Sequence, residues 1–201
     1  ADQIPNMYPH IIGAGSDGRK LQLWMFENRK IEFRLVVGSN MAWVTTPSTL
    51  ELDQWYHIAA TYSSETGRSI YINGDLEASD ASTGEIGVID SDIYIGSNPF
   101  LTPREFSGII DEVSIWNVAM DQGQIQDQMS QELSGQEQGL AGYWNFNEGE
   151  GPDLTDLGGN GNHGTIYGAT WSGDAAPVEP PVYGCTDSYA ENYNPDATAD
   201  D

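Results

Sequence analysis

Basic residues are scarce in this sequence. Seven Lys and Arg residues stand against 31 Asp and Glu residues, which gives a formal net charge of -24 for 201 residues. A field of this sign repels phosphate backbones and anionic membrane surfaces. The composition therefore argues against nucleic acid as a partner. It fits divalent cations, or a salty extracellular medium in which screening weakens self-repulsion.

Long apolar runs are missing as well, and cysteine occurs once. No run reaches the ~18 apolar residues that a membrane-spanning helix needs, so we expect no membrane insertion. The first residues, ADQIPNMYPH, lack the basic and apolar regions of a signal peptide, as a mature or trimmed chain would. The single Cys185 provides no disulfide framework by itself. The acidity fits an extracellular setting, and we expect a secreted or cell-surface protein.

Motifs of common hydrolases do not occur either. The sequence contains no HExxH, no GxSxG and no Cys/His metal spacing. The adjacent acids Asp111 and Glu112 would point to opposite faces of a strand, whereas a retaining glycosidase needs two carboxylates roughly 5 to 5.5 Å apart. We therefore expect no enzymatic activity.

Short runs of alternating apolar residues, separated by turn signals, begin near Ile11 and predict a β-sandwich. In one such run Ile31, Phe33 and Leu35 share a face, with Glu32 and Arg34 on the other. Asn73-Gly74 predicts a hairpin because a type I′ turn needs positive φ at both central residues. The predicted strands cover residues 11–14, 21–26, 30–37, 41–46, 55–62, 68–73, 76–78, 93–96 and 106–117.

One short helix is predicted after the last of these strands. Asp121 can cap it, and Gln124 stands at the third helical position, as in a capping box. Ile125, Met129 and Leu133 repeat every four residues, and Gly135 ends the pattern. The narrow apolar stripe is typical of a helix laid on one edge of a sandwich.

Oxygen-bearing side chains at two places suggest a calcium site. Asp111 interrupts the predicted strand 106–117, where it is either a surface-facing acid or a cation ligand. Side-chain oxygens also occur in the glycine-rich segment DLTDLGGNGNHG, at Asp153, Asp156, Asn160 and Asn162. This segment is either an ordinary Asn/Gly loop or a second source of ligands. We expect a structural calcium ion held by Asp111, Asp156, Asn160 and Asn162.

Five stretches share one further pattern: WYHIA from Trp55, IYING from Ile70, IYIG from Ile93, FSGIIDEVSIWN from Phe106 and GYWNFNEG from Gly142. In order and spacing they resemble the laminin-G-like (concanavalin-A-like) jelly-roll domains of bacterial surface and secreted proteins. The resemblance implies an all-β, antiparallel two-sheet jelly-roll sandwich over residues 1–171. The strands that open such domains, near a Phe-Asp-Gly motif, are missing. Either the chain is a piece of a larger protein, or residues 139–171 fill those positions.

The C-terminal residues predict a modular arrangement. Residues 172–182 are rich in proline and read as a linker. Residues 183–201 resemble the start of a short acidic repeat of bacterial surface proteins, with Gly184-Cys185-Thr186-Asp187 as its opening. The resemblance implies that Cys185 has lost its disulfide partner by truncation.

The resemblance implies binding, but the fold alone does not choose the ligand. We expect a noncatalytic, calcium-supported adhesion module that recognises a glycan or cell-surface polysaccharide. Tyr8, Trp24, Trp43 and Phe100 are the candidate ligand-binding residues, because aromatic rings stack on the apolar C–H faces of sugars. The alternatives are a structural spacer or protein-adhesion domain that contacts neighbouring domains, and, less favoured, a polysaccharide-cleaving enzyme.

Overall fold

The structure is a computed structural model that describes residues 8–15, 19–89, 91–101, 104–182, 184–185, 188–190 and 193–197. It divides into two compact units. The first comprises Ala1–Ile110 and Ala119–Ile125, and the second comprises Asp111–Val118 and Gln126–Asp201.

The first unit contains two antiparallel sheets. The five-stranded sheet has the order β4-β3-β2-β1-β8, and the three-stranded sheet has the order β5-β6-β7. The strands are β1 (His10–Ala14), β2 (Leu21–Met25), β3 (Ile31–Val37), β4 (Asn40–Thr45), β5 (Ile58–Ser63), β6 (Gly67–Ile72), β7 (Asp75–Asp80) and β8 (Ile93–Ile95). The prediction of an all-β antiparallel sandwich is confirmed.

The hydrophobic core of this unit draws side chains from both sheets. Leu23, Phe33 and Val44 come from the five-stranded sheet, while Ile70 and Ile72 come from the three-stranded sheet. Burial of such side chains contributes ~1.5 to 3 kcal/mol each. Because successive residues of a strand face opposite sides, the odd-numbered residues of β3 enter this core, and Glu32 and Arg34 face away from it.

The predicted hairpin at Asn73-Gly74 is confirmed. Asn73 has φ 51° and Gly74 has φ 79°, as a type I′ turn requires. The Asn73 side chain also accepts a hydrogen bond from the backbone N–H of His57 at 2.9 Å. This contact fixes the residues that lead into β5.

Two predicted strands are shorter than the sequence pattern suggested. Strand β5 begins at Ile58 instead of residue 55. Of the predicted strand 106–117, only β9 (Val113–Trp116) is extended and paired. Glu112 has φ 53°, a left-handed conformation that ends any extended run, so the prediction that Asp111 lies within a strand was wrong.

The second unit is built around two small antiparallel pairs. Strand β9 pairs with β10 (Leu140–Trp144), and β11 (Asp153–Leu154) pairs with β12 (Gly164–Thr165). Val113, Leu140, Tyr143, Trp144 and Leu154 are its buried hydrophobic residues. Glu179, from the predicted linker, exchanges backbone hydrogen bonds with Ser130 and Glu132 at 2.8 Å each.

The helix α1 (Gln122–Gln128) forms where it was predicted but ends early. The capping box is confirmed: the Gln124 N–H donates to Asp121 Oδ1 at 2.9 Å, and the Asp121 N–H donates to Gln124 Oε1 at 3.0 Å. The predicted extension to Leu133 was wrong. Beyond Gln128 the backbone pairs with Glu179 instead of continuing the helix.

Several predictions about the chain's organisation keep the status of predictions. These are the 1–171 domain, the 172–182 linker and the acidic repeat at 183–201, of which residues 183, 186–187, 191–192 and 198–201 lie outside the described part. In the described part, Cys185 is a free, half-exposed cysteine. None of the described helices is both long and apolar enough to cross a membrane.

Candidate functional site

The side of the five-stranded sheet opposite the core carries aromatic and charged side chains in two rows. In the first row, cross-strand partners bring Gln22, Arg34 and Trp43 side by side. In the second row, His10, Trp24, Glu32 and Thr45 are aligned in the same way. Directly opposed residues on one face have Cβ atoms roughly 4.5 to 5.5 Å apart, so neighbours within each row lie side by side. His10, Gln22, Trp24 and Glu32 are buried, whereas Trp43 is exposed.

Trp24 is the centre of an aromatic cluster on this face. Its ring centroid lies 5.4 Å from that of Tyr8, 5.1 Å from His10 and 6.2 Å from Phe26. Trp24 is only 5% exposed. Such ring pairs contribute ~0.5 to 1.5 kcal/mol beyond the burial of area, so they stabilise this aromatic platform.

Arg34 lies between two tryptophans. Its guanidinium carbon is 4.5 Å from the centroid of the Trp24 ring and 5.1 Å from that of Trp43. Its Nε donates to Glu32 Oε1 at 2.6 Å, and Thr45 donates its hydroxyl to Glu32 Oε2 at 2.9 Å. Glu32 therefore positions the guanidinium beside Trp43, which is 53% exposed.

A second arginine approaches the same platform from a loop. The guanidinium carbon of Arg104 lies 4.7 Å from the Tyr8 ring centroid and 5.9 Å from that of Trp24. Its Nε donates to the Leu101 carbonyl at 3.0 Å. Burial is the main cause that lowers the pKa of Arg104; the charge of Arg34 lowers it further, while Tyr8 acts in the opposite direction.

These residues surround an open cleft of about 390 Å³, which we call the arginine–aromatic cleft. Its described lining consists of Tyr8, Arg19, Gln22, Trp24, Phe26, Arg34, Met41, Leu101 and Arg104. Pockets for small ligands occupy roughly 300 to 1,000 Å³ and combine apolar walls with a few polar groups. The volume of the cleft lies within this range, and its aromatic side chains stand beside arginine and glutamine side chains.

Two nitrogen atoms at the cleft lack a partner within the described structure. Trp24 Nε1 and Arg104 Nη1 are buried and make no hydrogen bond. A buried donor without an acceptor costs ~1 to 3 kcal/mol. An acceptor oxygen on a bound molecule would remove this cost.

His10 supports the cleft from beneath and is fully buried. Burial, followed by the charge of Arg104, lowers the pKa of His10 to about 4, although the contact with the Tyr8 carbonyl acts in the opposite direction. The ring is therefore neutral at physiological pH. It contacts the Tyr8 carbonyl through Nδ1 at 3.1 Å and Gln22 Nε2 through Nε2 at 3.2 Å. A neutral ring that donates at Nδ1 and accepts at Nε2 satisfies both contacts.

Of the four predicted ligand-binding aromatic residues, three are brought together. Tyr8 and Trp24 line the cleft, and Trp43 packs on Arg34 beside it. Phe100 is not among the described lining residues and packs edge-on against Tyr94, with ring centroids 5.9 Å apart. Their assignment as ligand-binding residues stays a prediction.

Sequence reasoning did not single out the arginines of the cleft. A signal for Arg34 was present, because it alternates with core residues in β3 and shares a face with Trp24 and Trp43. Arg104 lies in a loop outside any strand, so nothing in the sequence periodicity places it near Tyr8.

Asp156, a predicted calcium ligand, organises the loop that follows β11. Its Oδ1 accepts the backbone N–H groups of Tyr143 at 3.0 Å and Gly158 at 2.8 Å, and its Oδ2 accepts that of Asn162 at 2.9 Å. Burial alone would raise the pKa of Asp156, but these bonds and one from Asn160 lower it. A carboxylate has about four acceptor sites, and backbone N–H groups of Tyr143, Gly158 and Asn162 occupy three of them here.

The other predicted metal ligands also have backbone partners. Asn160 Nδ2 donates to the carbonyls of Leu140 at 3.2 Å and Gly158 at 3.0 Å. Asn162 Nδ2 donates to the Ala141 carbonyl at 2.8 Å. These amides link the loop to β10.

Asp111 is held in the same way. Its Oδ1 accepts the N–H of Glu112 at 3.0 Å, and its Oδ2 accepts that of Ala176 at 2.8 Å. Within the described residues, no group of three or more His, Cys, Asp or Glu side chains could hold a metal ion. In this structure the Asp156 oxygens accept hydrogen bonds from backbone N–H groups. Calcium binding stays a prediction, which thermal unfolding with and without calcium would test in the parent and in Asp111→Asn.

A partly buried acid–phenol pair, Glu112 and Tyr143, lies beside Asp111. Tyr143 donates its hydroxyl to Glu112 Oε2 and accepts a hydrogen bond from the Leu133 N–H at 3.3 Å. Burial raises the pKa of Glu112 to about 7; the Tyr143 bond opposes this shift, and the charges of Asp111 and Glu132 add to it. Burial likewise raises the pKa of Tyr143 well above its usual value, so the phenol stays protonated at physiological pH.

We expect Glu112 to make the protein less stable as the pH rises. Because its folded-state pKa lies above the unfolded value, the native state binds the extra proton, so the free energy of unfolding falls between about pH 4.5 and 7. Glu112→Gln keeps an acceptor for Tyr143 and removes the titration. Urea unfolding at pH 5 and pH 8 should show the variant gaining stability relative to the parent as pH rises. An equal difference at both pH values would contradict this role.

Comparison with known proteins agrees with the fold. A family model described as the concanavalin A-like lectin/glucanases superfamily matches residues 2–126. A structure of a candidate carbohydrate binding protein from Bacteroides ovatus ATCC 8483 matches with a TM-score of 0.65 and 25% identity, covering 79% of this chain and 47% of that one. The chain thus spans about half the length of that protein.

A second structure, an S-layer domain-containing protein from Clostridium thermocellum ATCC 27405, matches with a TM-score of 0.35 and 22% identity. That match covers 63% of this chain and 65% of the other, and its low TM-score supports no inference. No match is found among curated proteins. The family model covers more than half of the chain, and the chain therefore belongs to the concanavalin A-like lectin/glucanase superfamily.

Proposed function

We propose that this chain is a noncatalytic glycan-binding module and that the arginine–aromatic cleft is its binding site. The observation that carries the proposal is the exposed Trp43 ring beside a cleft whose lining residues Trp24 and Arg104 each have a buried donor without a partner among the described residues. A sugar ring has an apolar C–H face and a rim of hydroxyl oxygens. Trp43 offers a surface for the face, and Trp24 Nε1 and Arg104 Nη1 offer donors for the oxygens. The candidate carbohydrate-binding relative supports the same ligand class.

A binding function is favoured over glycoside hydrolysis by the chemistry of the cleft. The residues described as lining it contribute no carboxylate. Glu32 lies beneath the lining, is 3% exposed, and uses its two oxygens for Arg34 and Thr45. Hydrolysis by the usual mechanism needs a pair of carboxylates on either side of the scissile bond. The proposal retains a secreted or surface location and adhesion as its setting.

The proposal is tested with a glycan array followed by titration calorimetry on the strongest hit. Trp43→Ala should weaken binding by on the order of tenfold, which corresponds to ~1.4 kcal/mol, because the stacking surface is lost. Trp55→Ala is the matched control, since Trp55 is a 36% exposed tryptophan of the same unit outside the described cleft lining.

Both variants should retain the melting temperature of the parent, because the replaced rings are partly exposed. Binding that is lost equally in both variants would contradict the site. An array without any hit, combined with binding to a neighbouring protein domain, would favour the spacer function instead. Release of sugar products would overturn both functions.

A further inference from the structure

The arginine–aromatic cleft concentrates positive charge in a strongly acidic chain. Three of the seven Lys and Arg residues, namely Arg19, Arg34 and Arg104, line it. The residues described as lining the cleft include no Asp or Glu. Since the formal net charge of the chain is -24, this local surplus is opposite in sign to the rest of the sequence.

The two central arginines of the cleft contact the same aromatic ring. Arg34 and Arg104 both lie over Trp24, at 4.5 and 5.9 Å from its centroid. Their mutual repulsion contributes to the lowered pKa of Arg104. Glu32 neutralises one of the two charges through Arg34 Nε. An anion in the cleft would relieve the remaining repulsion.

Arg104 retains a donor for anion recognition, whereas Arg34 donates through Nε to Glu32 and through Nη1 to Met41 Sδ at 3.9 Å. A guanidinium stacked on an aromatic face keeps its N–H edge for hydrogen bonds in the ring plane. Arg104 Nη1 is buried and has no partner among the described residues, and Trp24 Nε1 is in the same state. Hydrogen bonds from charged donors to carboxylate or sulfate oxygens are shorter and stronger than those to hydroxyl oxygens.

We propose that the cleft selects an acidic glycan, whose carboxylate or sulfate group is bound by Arg104 and Arg34 while a sugar ring lies on Trp43. This inference rests on the glycan-binding function proposed above. The acidity of the remaining surface does not prevent it, because charges further away than about 8 Å are largely screened at physiological salt. The recognition is therefore local.

Two matched ligand pairs test the inference by titration calorimetry at physiological salt. Polygalacturonate is compared with its methyl ester, which has the same sugar without the charge, and dextran sulfate is compared with dextran. We expect the charged member of one pair to bind at least tenfold more tightly than its neutral partner. The first pair identifies a carboxylate ligand, and the second identifies a sulfate ligand.

Arg104→Gln should reduce that preference at least fivefold, and Arg34→Gln should do the same if Arg104→Gln folds poorly by circular dichroism. Arg29→Gln is the control, because Arg29 pairs with Glu51 at 3.8 Å outside the described cleft lining. Equal binding of charged and neutral members would overturn the acidic selectivity and leave the glycan function intact. No binding of any glycan, here or on the array, would overturn both. A charge preference unchanged in both cleft variants would overturn the site.

Discussion

Replacing Asp156 with alanine is expected to destabilise the second unit by about 3 kcal/mol. Hydrogen bonds to a charged group contribute roughly 1.5 to 3 kcal/mol each, and water partly offsets their loss. The variant removes the acceptor of the Tyr143, Gly158 and Asn162 N–H groups. Amide hydrogen exchange should show lost protection at these three residues, and urea unfolding should show the lower stability.

Two substitutions serve as controls for that result. Asp156→Asn keeps one acceptor oxygen and should lose less stability than Asp156→Ala. Asp153→Ala removes an exposed carboxylate from the same segment and should leave stability within about 0.5 kcal/mol of the parent. Unchanged protection at Tyr143, Gly158 and Asn162 in Asp156→Ala would contradict the assigned role.

The stabilisation by Asp156 should also depend on pH. The pKa of Asp156 is lower in the folded state than in the unfolded state. Its contribution to the free energy of unfolding is therefore present above the unfolded-state pKa of about 3.9 and is lost as the pH falls through the folded-state pKa. The difference between parent and Asp156→Ala should therefore narrow in strong acid. The expected direction is opposite to that at Glu112.

Replacing Glu32 with alanine is expected to lower the free energy of unfolding by about 2 kcal/mol, because it leaves the partly buried charge of Arg34 uncompensated. Glycan binding should weaken as well. Glu32 is 3% exposed, and it holds Arg34 at 2.6 Å and accepts the Thr45 hydroxyl. Without it, Arg34 loses the contact that keeps it between Trp24 and Trp43. Urea unfolding and calorimetry on the same preparation measure the two effects.

A double-mutant cycle separates positioning from simple packing. Arg34→Met combined with Glu32→Ala removes the uncompensated charge, so the double variant should be more stable than the sum of the two single changes predicts. Glycan binding should remain weak in the double variant, because the guanidinium is absent. Additive losses of stability would show that Glu32 and Arg34 do not act as a pair.

The sequence pattern was sufficient to predict the sandwich and the hairpin at Asn73-Gly74. Alternation in β3 separated core residues from Glu32 and Arg34, and Asn73-Gly74 identified a hairpin. It failed at Glu112, because a single residue with φ 53° ends a strand without changing the apolar pattern. It also extended the helix past Gln128, since periodicity cannot reveal a competing backbone partner such as Glu179.

The candidate site was only partly accessible from the sequence. Three aromatic residues were predicted from their chemistry, namely Tyr8, Trp24 and Trp43. Trp24 and Trp43 share one face because the register aligns β2, β3 and β4, and Tyr8 lies in the short segment before β1. Arg104 joins them through a loop, and loop geometry has no periodic signature. Asp156 was predicted as a metal ligand from composition, and this stays a prediction; that its oxygens accept backbone N–H groups is a contact that only coordinates reveal.

Indole N–H resonances provide the most direct test of the cleft as a glycan site. The chain has six tryptophans, and a 15N-resolved titration with the strongest array hit follows each of them separately. We predict that the Trp24 and Trp43 signals shift, with a downfield change at Trp24 Nε1–H as it gains an acceptor, while Trp144 and Trp171 stay in place. Shifts confined to Trp144 or Trp171, with Trp24 and Trp43 unchanged at saturating ligand, would contradict the account.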